Sequence, residues 1–153
     1  MPEHVLLALS SFRFSEKEIE HALNTCRQHG CPLTTVFVVD VNVARYFVGT
    51  GVMAGTSLRE QMEQGIMDDH RHRAQELLGK VCRMAAERNI ECEAVLRQGR
   101  FAAEVRAEAA RVGAQVIIVT RAQRPEWLRR LFGSPVDRLC DELGDKCNID
   151  IVK

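Results

Sequence analysis

The residues best suited to chemistry lie in a basic segment, VIIVTRAQRPEWLRRLFGSP (116–135), between an apolar run and a helix start. Gly133 and Ser134 stand before a proline that suits the first position of a helix. The unpaired amides and positive dipole of a helix start attract phosphate, and Arg121 and Arg124 add cations nearby. The segment therefore predicts an anion site. The alternative is that Ser134 caps its own helix and the arginines are solvated.

Two other clusters of reactive residues give weaker indications. The stretch GTGVMAG (49–55) resembles a dinucleotide fingerprint, but its third glycine comes one residue late. Asp68 and His72 lie four residues apart on a predicted helix, which provides only two ligands for a metal. We expect a flexible connection in the first case and a solvated helix face in the second. No pattern of nucleophile, base and acid is visible.

The cysteines show neither redox-motif nor zinc-finger spacing. We expect them to be reduced thiols that are buried or incidental, with Cys31 and Cys147 as the exposed candidates for redox chemistry. The six positions are Cys26, Cys31, Cys82, Cys92, Cys140 and Cys147.

The elements that must position the basic segment alternate between strands and helices. Apolar runs bounded by turn residues predict strands, and apolar stripes at helical spacing predict helices. Ser15 and Glu18 form a capping box at the start of the first helix, Gly30 suits its end, and Asn89 suits the end of the second helix. The alternation predicts a single α/β domain over 1–153, with a five-stranded parallel sheet and helices on both faces. The predicted order is strand His4–Ser10, helix from Ser15, strand Thr34–Asp40, helix Leu58–Arg88, strand Glu91–Arg97, helix Phe101–Val112, strand Gln115–Thr120, helix from Ser134 and strand Asn148–Val152.

The bulk composition excludes several classes of protein. Lysine plus arginine (21) equals aspartate plus glutamate (21), so no overall field favours nucleic acid or membrane. The chain has no signal-peptide pattern and no apolar run approaching the roughly 18–20 residues of a membrane span. We therefore expect a cytoplasmic protein that binds neither nucleic acid nor membrane.

Six segments together resemble the universal stress proteins of the UspA type over essentially the whole length. The resemblance implies a Rossmann-like sheet with strand order 3-2-1-4-5 and a regulatory role in stress responses. The segments are HVLLALS, TTVFVVD, RQGRFAAEV, GAQVIIVT, LFGSPVDRL and IDIV.

The family's nucleotide-binding members carry Gly-x2-Gly-x9-Gly-[Ser/Thr] after the fourth strand. Here the spacing and the final Gly133-Ser134 match, but Thr120 and Gln123 replace the first two glycines. At the end of the first strand, Ser10 stands where ATP-binding members have an aspartate. In the second strand, Val38 matches the position that contacts adenine.

These departures affect both ends of the implied nucleotide site. The side chain of Gln123 adds bulk where the family backbone wraps the phosphates, and Ser10 removes an acceptor at the nucleoside end. Arg121 and Arg124 compensate only at the phosphate end. We therefore expect ATP binding to be lost or altered and no resident cofactor.

The resemblance implies a regulatory, non-enzymatic homodimer that pairs through Asn148–Val152 and acts on protein partners. The alternative is a sensor that binds ATP or AMP with Mg²⁺ or Mn²⁺ and hydrolyses ATP slowly. An adenylating enzyme of similar architecture needs a Ser-Gly-Gly-x-Asp-Ser or His-x-Gly-His loop, and Ser10–Ser15 offers neither.

Overall fold

A computed structural model describes residues 4–10, 15–40, 56–120 and 148–152, which contain five strands and three helices. Their bounds agree with the predicted elements to within a few residues. The predicted helix from Ser134 lies outside the described residues. In chain order the elements are β1 (Val5–Ser10), α1 (Glu16–His29), β2 (Leu33–Asp40), α2 (Thr56–Glu87), β3 (Cys92–Gly99), α3 (Phe101–Val112), β4 (Val116–Thr120) and β5 (Asn148–Val152).

The five strands form one parallel sheet in the order β3-β2-β1-β4-β5. This confirms both the α/β class and the 3-2-1-4-5 order. Strand β1 lies at the centre, pairing with β2 on one side and β4 on the other. The chain therefore leaves β1 in one direction and β4 in the other, so the switch in strand order lies between them.

Alternation along the central strands divides the core into two halves, because successive side chains point to opposite faces of a sheet. Leu7 and Leu9 of β1 pack with α1 and α2. Leu6 and Ala8 pack with α3 on the other face. Every residue of β1 is buried, which explains its unbroken apolar sequence.

Local signals in the sequence fix the helix ends. Ser15 is the N-cap of α1, and its Oγ accepts a hydrogen bond from the Glu18 amide at 3.1 Å. Gly30 ends the same helix in the left-handed conformation. Asn89, with a φ of 57°, turns the chain from α2 towards β3. These positions confirm the caps expected from the sequence.

Strand β3 lies at the edge of the sheet and joins α3 through a network of charges rather than a continuous apolar face. Arg97 donates to Glu108 from Nε at 2.6 Å and to Glu104 from Nη1 at 3.0 Å. Arg111 bridges Glu108 and Glu93, each at 2.9 Å. Glu108 is fully buried at the centre of this network.

Among residues 4–10, 15–40, 56–120 and 148–152, no helix combines the length and apolar character needed to cross a membrane.

Candidate functional site

The carboxyl-end edge of the sheet is the place where a parallel α/β fold binds ligands, and the structure brings three predicted site residues to it. Ser10 ends β1, Thr120 ends β4, and Val38 lies near the end of β2. Ser10 and Val38 are register partners on adjacent strands. The strand order therefore assembles this edge from segments that are more than 100 residues apart in the sequence.

Thr120 is joined to α1 by a buried hydrogen bond. Its Oγ1 donates to Oε2 of Glu18 at 2.8 Å across 102 residues of sequence. Glu18 is fully buried and Thr120 is 7% exposed. A hydrogen bond to a carboxylate in such surroundings is stronger than one between neutral groups. The hydroxyl of Thr120 is therefore used inside the fold.

Glu18 also lies in the first turn of α1, three residues after the N-cap Ser15. A carboxylate at this position is stabilised by the positive end of the helix dipole. The sequence predicted a capping role for Glu18, but the contact with Thr120 was not predicted. The protein's own carboxylate thus occupies a helix start beside the switch point, where an anionic ligand would otherwise gain from the dipole.

Ser10 and Val38 belong to the opposite face of the sheet from Thr120. Val38 is fully buried and packs with Val36, Ala8 and α3. Ser10 is 4% exposed and follows Ala8 by two residues, so it lies on the same face. The three residues therefore share an edge of the sheet but not a common surface.

The other predicted site residues lie outside the described residues: Arg121, Gln123, Arg124, Gly133 and Ser134. The glycine-containing stretch 49–55 does so as well.

The acidic and histidine-rich segment of α2 is solvated, as expected. Asp68 pairs with Arg71 at 3.1 Å, and His72 pairs with Glu76 at 3.0 Å. The side chains of Asp68 and His72 are 61% and 72% exposed. No group of three or more metal-ligating side chains occurs within the part of the chain that the structure describes.

The expectation that Cys31 is exposed is wrong. Cys31 is 7% exposed and belongs to the core cluster formed by α1, α2 and the sheet. Gly30 ends α1 in the left-handed conformation, and the Cys31 amide donates to the Cys26 carbonyl at 3.2 Å. Cys82 and Cys92, expected to behave as small apolar residues, are only half-buried. Cys147 lies outside the described residues.

A cavity of about 700 Å³ borders the long helix α2 and has Phe37 and Leu77 among its lining residues. Two of its cations already have partners within the protein, since Lys80 pairs with Glu16 and Arg73 with Asp69. Burial lowers the pKa of His70, which also lines it. The cavity is of ligand size, and Arg83 is a third cation in its lining.

A buried hydroxyl–carboxylate pair at the carboxyl-end edge has the spacing of a catalytic pair but lacks its accessibility. Thr120 and Glu18 form a hydroxyl–carboxylate pair at hydrogen-bond distance, which is the spacing expected of a nucleophile and its base. Both side chains are buried, however, so a substrate has no access to the pair.

Comparison with known proteins assigns the architecture to a family. Residues 1–142 match the model of the universal stress protein family. No curated protein matches the sequence at a significant level.

Three solved structures illustrate the structural similarity. A universal stress protein from Burkholderia pseudomallei superposes with a TM-score of 0.68 at 15% identity, covering 98% of this chain and 95% of that chain. UspA from Lactobacillus plantarum superposes with a TM-score of 0.69 at 15% identity, covering 98% of this chain and 97% of that chain. The universal stress protein from Archaeoglobus fulgidus in complex with dAMP superposes with a TM-score of 0.59 at 16% identity, covering 97% of this chain and 96% of that chain. At such low identity these similarities describe the fold.

Proposed function

This chain belongs to the universal stress protein family, and we propose that it is a regulatory, non-catalytic homodimer in which ATP binding is lost or altered. The observation that carries the proposal is the buried hydrogen bond from Thr120 to Glu18.

The Thr120–Glu18 contact acts against a nucleotide in two ways. It places a carboxylate at the amino end of α1, close to the point where the basic segment leaves β4. Negative charge buried beside a phosphate site repels the phosphates more strongly than it would in water. In addition, the threonine side chain fills the position where the family motif has glycine, which limits close approach of a ligand to the backbone.

The nucleoside end of the site is altered as well. Ser10 is buried and supplies no carboxylate where ATP-binding relatives have an aspartate. Its register partner Val38 packs into the core under α3 rather than into an open surface. The core packing of both residues supports the proposed loss of nucleoside recognition.

The two edges of the sheet support dimerisation through β5. At one edge, β3 carries Glu93 and Arg97, which are engaged in ion pairs, and charged residues protect an edge strand from further pairing. At the other edge, β5 carries Ile149 and Ile151, both partly exposed. An apolar edge of this kind is stable when a second copy covers it. A monomer at micromolar concentration in size-exclusion chromatography with light scattering would contradict the proposed dimer.

The second candidate is an adenine-nucleotide sensor that binds ATP or AMP with Mg²⁺ or Mn²⁺ and hydrolyses ATP slowly. It is favoured by the structural similarity to the Archaeoglobus fulgidus protein in complex with dAMP. In this case Gly133, Ser134 and the arginines Arg121 and Arg124 would hold the phosphates. Ser134→Ala should then weaken binding substantially.

Equilibrium dialysis of ligand-stripped protein with Mg-ATP, and in parallel with AMP, separates the two candidates. We expect no saturable ATP binding up to millimolar concentration. Micromolar affinity for the unmodified protein would overturn the proposal and establish the sensor.

Two variants locate the cause of weak binding. Glu18→Gln removes the buried charge but keeps its shape, and we expect it to raise ATP affinity measurably, most clearly in combination with Thr120→Gly and Gln123→Gly. Glu20→Gln is the matched control, because Glu20 lies on the same helix and pairs with Arg88 on the surface. Equal effects of Glu18→Gln and Glu20→Gln would show that the buried carboxylate does not act on the nucleotide.

A further inference from the structure

The half-buried thiols of Cys82 and Cys92 lie next to each other. Cys82 is on the last turns of α2 and Cys92 is the first residue of β3, and their Sγ atoms are 3.3 Å apart. A disulfide has an S–S distance of about 2.05 Å, so the two sulfurs need to approach by little more than 1 Å. Rotation about the side-chain bonds of the two cysteines is sufficient for this approach.

We propose that Cys82 and Cys92 are an oxidation site at which a hydroperoxide forms a reversible disulfide between α2 and β3. This site lies at the amino end of β3, away from the carboxyl-end edge. It is therefore independent of whether the protein binds a nucleotide.

Accessibility distinguishes this pair from the other described thiols. Cys26 is 1% exposed and Cys31 is 7% exposed, so both are enclosed in the core. Cys82 and Cys92 are each only half-buried, which leaves a path for a small oxidant. Oxidation of cysteine follows exposure, so the less buried pair should react before Cys26 and Cys31.

The local environment also assigns an order to the two sulfurs. Burial and the hydrogen bond with Cys82 together raise the pKa of Cys92 to about 12. Cys92 is thus a poor first nucleophile at neutral pH. Cys82 attacks the peroxide, and Cys92 then attacks the oxidised Cys82.

The chemistry balances with a hydroperoxide as the only added reagent. The Cys82 thiolate attacks one peroxide oxygen, an S–O bond forms, the O–O bond breaks, and the leaving hydroxide takes up a proton as water. Cys92 Sγ then attacks the sulfenic acid of Cys82, the S–S bond forms, the S–O bond breaks, and a second water leaves with the Cys92 proton. Two thiols and one hydrogen peroxide give one disulfide and two waters, and an added dithiol then reduces the disulfide to the two thiols and is itself oxidised.

The bond would close a short loop around the α2–β3 turn. That loop contains Asn89 in the left-handed conformation and the backbone hydrogen bond from Ile90 to Ala85 at 2.9 Å. Closing it restricts the unfolded chain, so the oxidised protein should melt about 5–10 °C higher than the reduced protein.

Peptide mapping tests the site directly in the full-length reduced protein exposed to a slight excess of hydrogen peroxide. Trypsin cleaves after Lys80, Arg83, Arg88 and Arg97 and separates the two cysteines. We expect peptides 81–83 and 89–97 to be linked, with the loss of two hydrogen atoms, and to separate after treatment with dithiothreitol.

Variants and controls make each outcome decisive. Cys82→Ser and Cys92→Ser should abolish the link and the shift in melting temperature, whereas Cys31→Ser should keep both. Peptide mapping of the unmodified protein tests the proposal even if a variant fails to fold. Sulfinic acid at Cys82 without the linked peptide, or a disulfide between any other pair of cysteines, would overturn the proposal.

Discussion

Glu18 and Glu108 are both fully buried, yet they perform different tasks in the two halves of the molecule. Glu108 lies between α3 and the edge strand β3 and receives hydrogen bonds from the guanidinium groups of Arg97 and Arg111. Glu18 lies at the start of α1 and receives a hydrogen bond from the hydroxyl of Thr120. The first carboxylate attaches a helix to an edge strand, and the second connects a helix to the switch point of the sheet.

The difference shows that burial of a charge does not by itself indicate a functional site. Burial tends to raise the pKa of Glu108, but the hydrogen bonds from Arg111 and Arg97 outweigh it, and the pKa is lower than usual. This combination is that of a structural ion pair. Glu18 differs in its location, because it lies where a parallel α/β sheet binds its ligand.

Among the variants that compare the two buried carboxylates, Glu108→Gln should lose the most stability. The substitution leaves two guanidinium groups without their buried partner, and we expect a loss of about 2–4 kcal/mol in the free energy of unfolding, measured with urea. Glu93→Gln is the control, because Glu93 is an exposed partner of Arg111 and should cost less than about 0.5 kcal/mol. Similar losses for the two variants would remove the distinction between the buried and the exposed carboxylate.

The same residue predicts a dependence on pH. Because the pKa of Glu108 is lower in the folded protein than its ordinary value of 4.5, its contribution is fully present above that value. The contribution is lost as the pH falls through the folded pKa. Urea unfolding should be measured from pH 6 down to about pH 3. Over this range the free energy of unfolding should fall less for Glu108→Gln than for the unmodified protein.

A smaller effect is expected from Thr120→Val, which removes the hydroxyl that donates to Glu18. The loss should be about 2 kcal/mol in the free energy of unfolding, because a buried carboxylate loses a hydrogen bond without gaining water. Thr120→Ser keeps the donor and should recover most of this difference. If valine and serine cost the same, the hydrogen bond contributes nothing and Thr120 acts through packing alone.

The smallest effect should come from a carboxylate that is not buried. His21 Nε2 lies 2.6 Å from Oδ2 of Asp150 and connects α1 to β5, but the two side chains are 43% and 49% exposed. A double-mutant cycle of His21→Ala and Asp150→Asn should give a coupling below about 1 kcal/mol, reduced further by salt. A coupling as large as that of the Glu108 network would mean that burial does not set these energies.

Much of the fold follows from the sequence because its signals are local. Ser15, Gly30 and Asn89 mark helix ends by their own chemistry. The unbroken apolar runs of β1 and β4 indicate strands covered on both faces. The strand order was implied by the family resemblance rather than by these signals, and it is confirmed.

Less of the candidate site could be predicted. Sequence reasoning assigned Ser10, Val38 and Thr120 to one implied nucleotide site, but it did not separate them between the two faces of the sheet. It assigned Glu18 only to a capping motif and expected Cys31, rather than Cys82 and Cys92, to be accessible. These errors share a cause, since each depends on contacts between segments far apart in the chain.

By itself, the sequence determined which segments are helices and strands, where they end and that they alternate. Periodicity and capping act within a few residues, so these features need no knowledge of distant neighbours. Only the tertiary structure decided that Thr120 bonds to Glu18 across 102 residues and that Cys82 reaches the start of the next strand. Such contacts depend on how helices pack on the sheet, and the distance in sequence carries no information about that packing.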